Sequence, residues 1–154
     1  LVQLPPRFAY DLSKLEDLFA VFRTLEQEIG MPKTPLAFEP RHPTWFENDA
    51  VSSTKVLFDR EKFSFVLAHS AAIPSYPPEE SFRSASFVYL RFHGPKALFA
   101  SGYGEEGLRP WLPQMVAWIE QGIDIYAYFN NDINGHAIDD AKTLIRLLGA
   151  GERT

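Results

Sequence analysis

In the run Phe87-Val88-Tyr89-Leu90-Arg91-Phe92-His93-Gly94, apolar side chains alternate with side chains that have a polar tip from Val88 to His93. Successive residues of a strand point to opposite faces, so Val88, Leu90 and Phe92 share one face and Tyr89, Arg91 and His93 the other. One face is greasy and the other polar. The same pattern returns in 123–129, where Ile125, Ala127 and Phe129 oppose Tyr126, Tyr128 and the following Asn130. In 35–41, Leu36 and Phe38 oppose Ala37, Glu39 and Arg41.

Helical patterns lie between these strands. Leu15, Leu18, Phe19, Phe22, Leu25 and Ile29 recur at three- and four-residue intervals, with Ser13 and Glu16 as a capping box and Gly30 placed to end the run. Thr44 and Glu47 form a second capping box, opening a helix to about Asp59. Phe63 to His69 is the continuous apolar run of a strand buried on both faces. Residues 70–85 hold Pro74, Pro77 and Pro78 and read as a long loop. A helix is expected over 110–121, with Trp111, Met115, Trp118 and Ile119 on one side, and a last one after Asn134-Gly135 that carries Ala141, Leu144, Ile145 and Leu148 and ends at Gly149.

With no hairpin signal between neighbouring strands, the strands must run parallel with crossovers. A doubly wound nucleotide-binding sheet wants a glycine-rich turn after its first strand, and Leu4-Pro5-Pro6-Arg7 is the wrong chemistry for one. The expected fold is therefore α/β, a partial TIM-type (β/α)8 barrel whose C-terminal portion is 1–149, followed by a tail, 150–154. Apolar strand faces then meet the helices, and Glu39, Arg41, Arg91, His93, Tyr126, Tyr128 and Asn130 converge inside near the strand ends, joined by Gln3. The chain opens inside the apolar run Leu1 to Leu4, so preceding sequence is expected.

Composition sets the outer limits. The 154 residues are 45% hydrophobic and 14% aromatic, enough to bury a real core. A net charge of -5 argues against a general polyanion binder, although a local basic cleft survives in such a background. With no cysteine there is neither a disulfide framework nor thiolate ligation, and no apolar stretch is long enough for a membrane span. A cytoplasmic protein is expected.

Several side chains suit chemistry. His93 carries an imidazole, the side chain whose charge changes nearest neutral pH, and could exchange protons with Glu39, while the same two residues can equally serve as satisfied structural polar groups. Arg41 and Arg91 have the forked guanidinium that fits carboxylate or phosphate, and Lys96 with Ser101-Gly102-Tyr103-Gly104 follows a strand end where many barrels hold phosphate. A divalent metal site is conceivable from Glu39, His42, His69 and His93, without any local ligand spacing to support it. His136 is expected to be exposed. Trp45, Trp111 and Trp118 read as packing between helices and strands. Tyr89, Tyr126 and Tyr128 either fill the barrel or stack on a sugar or base.

Four separated motifs carry a resemblance: LVQLP (1–5), FEPRHPTWF (38–46), YLRFHG (89–94) and YFNND (128–132). Together they resemble the YecE-like family, labelled domain of unknown function 72, over nearly the whole chain. The resemblance implies a complete (β/α)8 barrel, in which a missing N-terminal segment of βα units precedes the first strand and completes the fold. It implies site roles for Glu39, Arg41 and His42, for Arg91, His93 and Gly94, and for the paired Asn130 and Asn131, with Pro40 departing from the usual pattern. It supplies no reaction.

The expected function is an enzyme acting on a small anionic or polyhydroxylated substrate, phosphorylated ones included, with Glu39 and His93 catalytic. Gln3, Arg41, His42, Arg91, Lys96, Tyr103, Tyr128, Asn130 and Asn131 would bind it. Two alternatives stand beside it: a barrel that binds or processes nucleic acid, and a non-catalytic binder of a small-molecule ligand.

Overall fold

Five parallel strands alternate with helices in this computed structural model, which describes residues 1–32, 34–71 and 87–149. The strands are β1 (Val2–Gln3), β2 (Leu36–Glu39), β3 (Phe63–His69), β4 (Phe87–Phe92) and β5 (Asp124–Phe129), hydrogen-bonded in chain order β1-β2-β3-β4-β5. Every ladder is parallel. Each crossover with a described helix places that helix between two strands of the sequence, as a parallel ladder requires. The loop expected over 70–85 lies outside the described residues from position 72 onward, and the tail 150–154 lies outside them altogether. By contact density the described chain divides within β3 into a first unit, 1–65, and a second, 66–71 with 87–149.

In the first unit, α1 (Leu12–Glu28) packs Leu15 and Phe19 inward and α2 (Asn48–Glu61) brings Phe58. They meet Phe38, Phe63, Phe65 and Trp45 in an aromatic cluster whose neighbouring rings lie mostly at steep angles, the arrangement favoured by ring quadrupoles. Trp45 is wholly buried, and its indole N–H donates to the Phe8 carbonyl at 2.8 Å. It is a packing residue, as its surroundings in the sequence suggest.

Both capping boxes need correction. The N-cap of α1 is Asp11, whose carboxylate accepts from the Lys14 N–H while the Ser13 hydroxyl donates to it. These bonds, the Lys14 side chain first among their sources, hold the Asp11 carboxyl down at about 2. The Thr44 hydroxyl is occupied elsewhere, accepting from the Tyr10 N–H and bonded to His42 Nδ1, so Pro43–Phe46 forms a 3-10 turn and α2 starts only at Asn48. At its far end α2 is closed by Lys62 in the left-handed conformation, φ 62°. A side chain there is strained where glycine is not. Lys62→Gly is expected to raise the unfolding free energy by about 0.5–1 kcal/mol, read as a higher urea midpoint at unchanged slope.

In the second unit, Leu67, Val88, Leu90 and Phe92 pack beneath Leu108, Met115, Trp118 and Leu144. The expected helix over 110–121 is longer and broken: α3 (Gly104–Leu108), a 3-10 turn at Arg109–Trp111, then α4 (Leu112–Glu120). Pro110 and Pro113 have no N–H to donate, which accounts for the tightened turn between the two pieces. The last helix, α5 (His136–Gly149), follows Asn134 and Gly135, both at positive φ.

Candidate functional site

The polar face of β4 and β5 follows the alternation of FVYLRFHG. Val88, Leu90 and Phe92 are buried against the helices, while Tyr89, Arg91 and His93 take the other face. Tyr89 pairs with Tyr126 and Arg91 with Tyr128 across the ladder. The Tyr89 ring stacks on Tyr128 at 4.7 Å and on Tyr126 at 6.5 Å, so the tyrosines pack on one another. Tyr126 and Tyr128 nonetheless keep nearly half their surface exposed, 48% and 47%. Beyond them the Arg91 Nε donates to the Asn130 Oδ1 at 3.0 Å, which fixes the plane of the guanidinium. His93, one residue past the end of β4, is 1% exposed.

Around these strand ends runs a buried polar network. The Tyr103 hydroxyl donates to the His69 carbonyl at 3.0 Å, accepts from the Gly94 N–H, and lies 2.8 Å from His69 Nδ1. Its single proton being spent on the carbonyl, Nδ1 must be the donor, which leaves the lone pair of a neutral His69 on Nε2. Burial lowers the His69 imidazole below its ordinary value and pushes the Tyr103 phenol well above its own. His69 pairs with Phe92 and lies on the helix-facing side, edge-on to Trp111. Asp140, 3% exposed, reaches from α5 to accept from the Tyr103 N–H at 2.9 Å, the Gly104 N–H at 2.8 Å and the Asn131 Nδ2 at 2.7 Å. Asn131 is fully buried and also donates to the Ser101 carbonyl.

The sequence-predicted residues thus divide by role. Arg91, Tyr128 and Asn130 lie together on one face with His93 at its end. Tyr103 and Asn131 are near but buried, their polar atoms holding the strand ends. Lys96 is exposed, with its backbone N–H on the Ser101 hydroxyl. His136 is half-buried rather than exposed, its ring against Gly102, where an added Cβ would meet Nδ1 at 2.9 Å.

In the first unit, Glu39 at the end of β2 is 2% exposed and accepts from the Arg41 Nε at 3.1 Å, the neighbouring guanidinium supplying the charge that a buried carboxylate needs. Gln3 is exposed and in register with Glu39. His42 caps the turn that follows, Nδ1 accepting from the Thr44 N–H, so it works as a local structural acceptor. Among the described residues no cluster of three His, Asp or Glu side chains stands ready for a metal ion. Nor is any described helix long and apolar enough to cross a membrane.

Sequence reasoning passed over Asp140. Next to Asp139 in the first turn of an amphipathic helix, it reads as a carboxylate solvated at the positive end of the dipole. The available signal was its spacing, four residues before the buried Leu144, which puts it on the inward face. A groove of about 550 Å3 in this unit, lined by Met115, Ile119, Ile125, Leu144 and Leu148 among others, is apolar and has Asp124 as its one acidic lining residue.

The family model for the "Protein of unknown function DUF72" matches residues 1–154. The chain belongs to the DUF72 family. Among solved structures this DUF72 chain is similar to the DUF72 family protein EF0366 of Enterococcus faecalis V583, at 19% identity and a TM-score of 0.75, covering 96% of this chain and 59% of that one. It is likewise similar to the DUF72 family protein TM1631 of Thermotoga maritima MSB8, at 23% identity and a TM-score of 0.70, covering 96% of this chain and 56% of that one. At such identities the likeness speaks to the fold. The chain spans less than two thirds of the length of these relatives. No curated protein matches it.

Proposed function

We propose that this chain is part of a (β/α)8 barrel enzyme of the cytoplasm that acts on a small anionic or polyhydroxylated substrate, phosphorylated ones included, by acid–base chemistry. One observation carries the reading: a buried imidazole, His93, ends the β4 face on which Asn130 orients the Arg91 guanidinium. Arg91 holds the anion through its fork, and His93 moves the proton, because imidazole changes charge nearest to neutral pH. Tyr128 offers a ring face to a sugar-like substrate beside Arg91. Glu39, buried under its ion pair with Arg41, is the second acid–base candidate, and Arg41 the second anion holder.

Turnover of a panel of phosphorylated and polyhydroxylated metabolites tests this. His93→Ala is expected to lower kcat about 10²- to 10⁴-fold, and Arg91→Ala to raise KM for anionic substrates. Glu39→Gln separates the second candidate. A discovered activity that both His93→Ala and Glu39→Gln leave intact would refute the assignment. The exposed tyrosines beside Arg91 give the nucleic-acid reading its footing, since rings stack on bases and arginine contacts phosphate. It requires a salt-sensitive mobility shift with DNA or RNA. A ligand recovered unchanged after long incubation would instead mark a non-catalytic binder.

A further inference from the structure

Phe99 occupies a backbone conformation that bulky residues avoid. Its φ is 63°, in the left-handed region where glycine or asparagine is usual, and the residue is 41% exposed. Neither the strain nor the exposed ring favours folding. The conformation is fixed from both sides: the Phe99 N–H donates to the His93 carbonyl at 2.6 Å, and the Phe99 carbonyl accepts from the Ile133 N–H at 3.3 Å. The loop beneath is clamped by the Ser101 hydroxyl, which accepts from the Lys96 and Ala97 N–H groups and donates to the Ala97 carbonyl. Among the described residues, the aromatic partner of the Phe99 ring is the His93 imidazole, T-shaped to it at 5.5 Å and 76°.

We infer that Phe99 is a positioning residue for His93: its ring covers one side of the imidazole and sets the ring's orientation. A phenyl ring at this steep angle is suited to this, because it fixes a neighbouring ring through its quadrupole yet neither gives nor takes a proton. Phe99 thereby shelters the imidazole and helps to orient it while itself taking neither ring nitrogen. The inference deepens the reading of His93 as the proton-transfer group and rests on it for its functional meaning. A glycine at this position would relieve the backbone and lose the contact.

Carbethoxylation by diethyl pyrocarbonate, followed histidine by histidine through peptide mass mapping of the full chain, tests the inference without any known substrate. In Phe99→Ala, His93 is expected to react about two- to tenfold faster than in the wild type, the range that an aromatic pair commands, while His42, His69 and His136 keep their rates. Phe99→Tyr restores the slow rate. Should Phe99→Ala lose the fold, Phe99→Leu replaces it, since leucine fills the space but sets no aromatic ring against the imidazole, and faster reaction at His93 alone is again expected. An unchanged His93 rate overturns the inference, and so does a parallel rise at all four histidines, which marks a purely structural role. Because the readout is chemical modification, failure to find an enzymatic activity leaves this result standing.

Discussion

Asp140→Ala is expected to lower the unfolding free energy by about 3–5 kcal/mol, because three buried N–H donors lose their acceptor at once. Asp140 is 3% exposed and takes donors from the Tyr103 N–H, the Gly104 N–H and the Asn131 amide. Alanine accepts none of them, and each donor left buried forfeits its water as well as its bond. The two backbone donors belong to the start of α3, so one carboxylate on α5 caps another helix and secures the chain between β4 and α3. The melting temperature should fall by roughly 10 °C. Asp140→Asn separates charge from shape: its amide keeps one oxygen but turns an NH2 group toward a donor, and it should recover less than half of the loss. Hydrogen exchange at the Tyr103 and Gly104 amides localises the effect. Exchange there as slow in Asp140→Ala as in the wild type would mean that the cap is dispensable.

The strands were legible because burial on one face writes itself into every second residue. Phe63 to His69 and Phe87 to Phe92 need no long-range information to be recognised, and neither does the segregation of Val88, Leu90 and Phe92 from Arg91 and His93. The grouping of Arg91 with Asn130 followed from the same periodicity plus parallel pairing. Helix starts were harder to read. Ser13 and Thr44 have the right chemistry for N-caps, but a hydroxyl has limited capacity, and here each was already bonded, Ser13 to Asp11 and Thr44 to Tyr10 and His42. Spacing alone does not reveal such competition. Asp140 escaped, and His69 was placed only as a conceivable metal ligand, for a related reason. Both are polar residues on faces directed toward the helices, where the binary pattern expects apolar ones, and their partners lie more than thirty residues away at Tyr103. A periodic reading finds the face but not the exception built into it.

Those exceptions share a location, because the Tyr103 hydroxyl, Asp140, Asn131 and the turn at Gly94 all act on the chain just beyond β4. The segment that presents His93 is therefore held by polar bonds as well as by the packing of Phe92 and Phe99 on either side of it. Such bonds are directional, so they fix an orientation where a greasy core would fix only a depth. This is the property that a proton-transfer group requires of its support.

Gly94→Ala should be the second severe change, costing about 3 kcal/mol or more. Gly94 has φ +104°, and a Cβ built on it would stand 2.4 Å from the Ala97 carbonyl oxygen and 3.0 Å from the Ser101 Oγ. The carbonyl cannot simply swing away, because it accepts from the Ala100 and Ser101 N–H groups and from the Ser101 hydroxyl. Moving it loosens the loop that carries Phe99, while the Gly94 N–H bond to Tyr103 and the Ala71 N–H bond to the Gly94 carbonyl are pulled out of line. Gly30→Ala supplies the control. Gly30 also has positive φ, +67°, but an added Cβ there meets nothing within 4 Å, so it carries backbone strain alone, about 1–2 kcal/mol. The difference between the two variants in urea unfolding isolates the steric clash, and only Gly94→Ala should shift the imidazole resonances of His93. Equal destabilisation by both would show that the turn yields to a methyl group and does not hold the histidine in place.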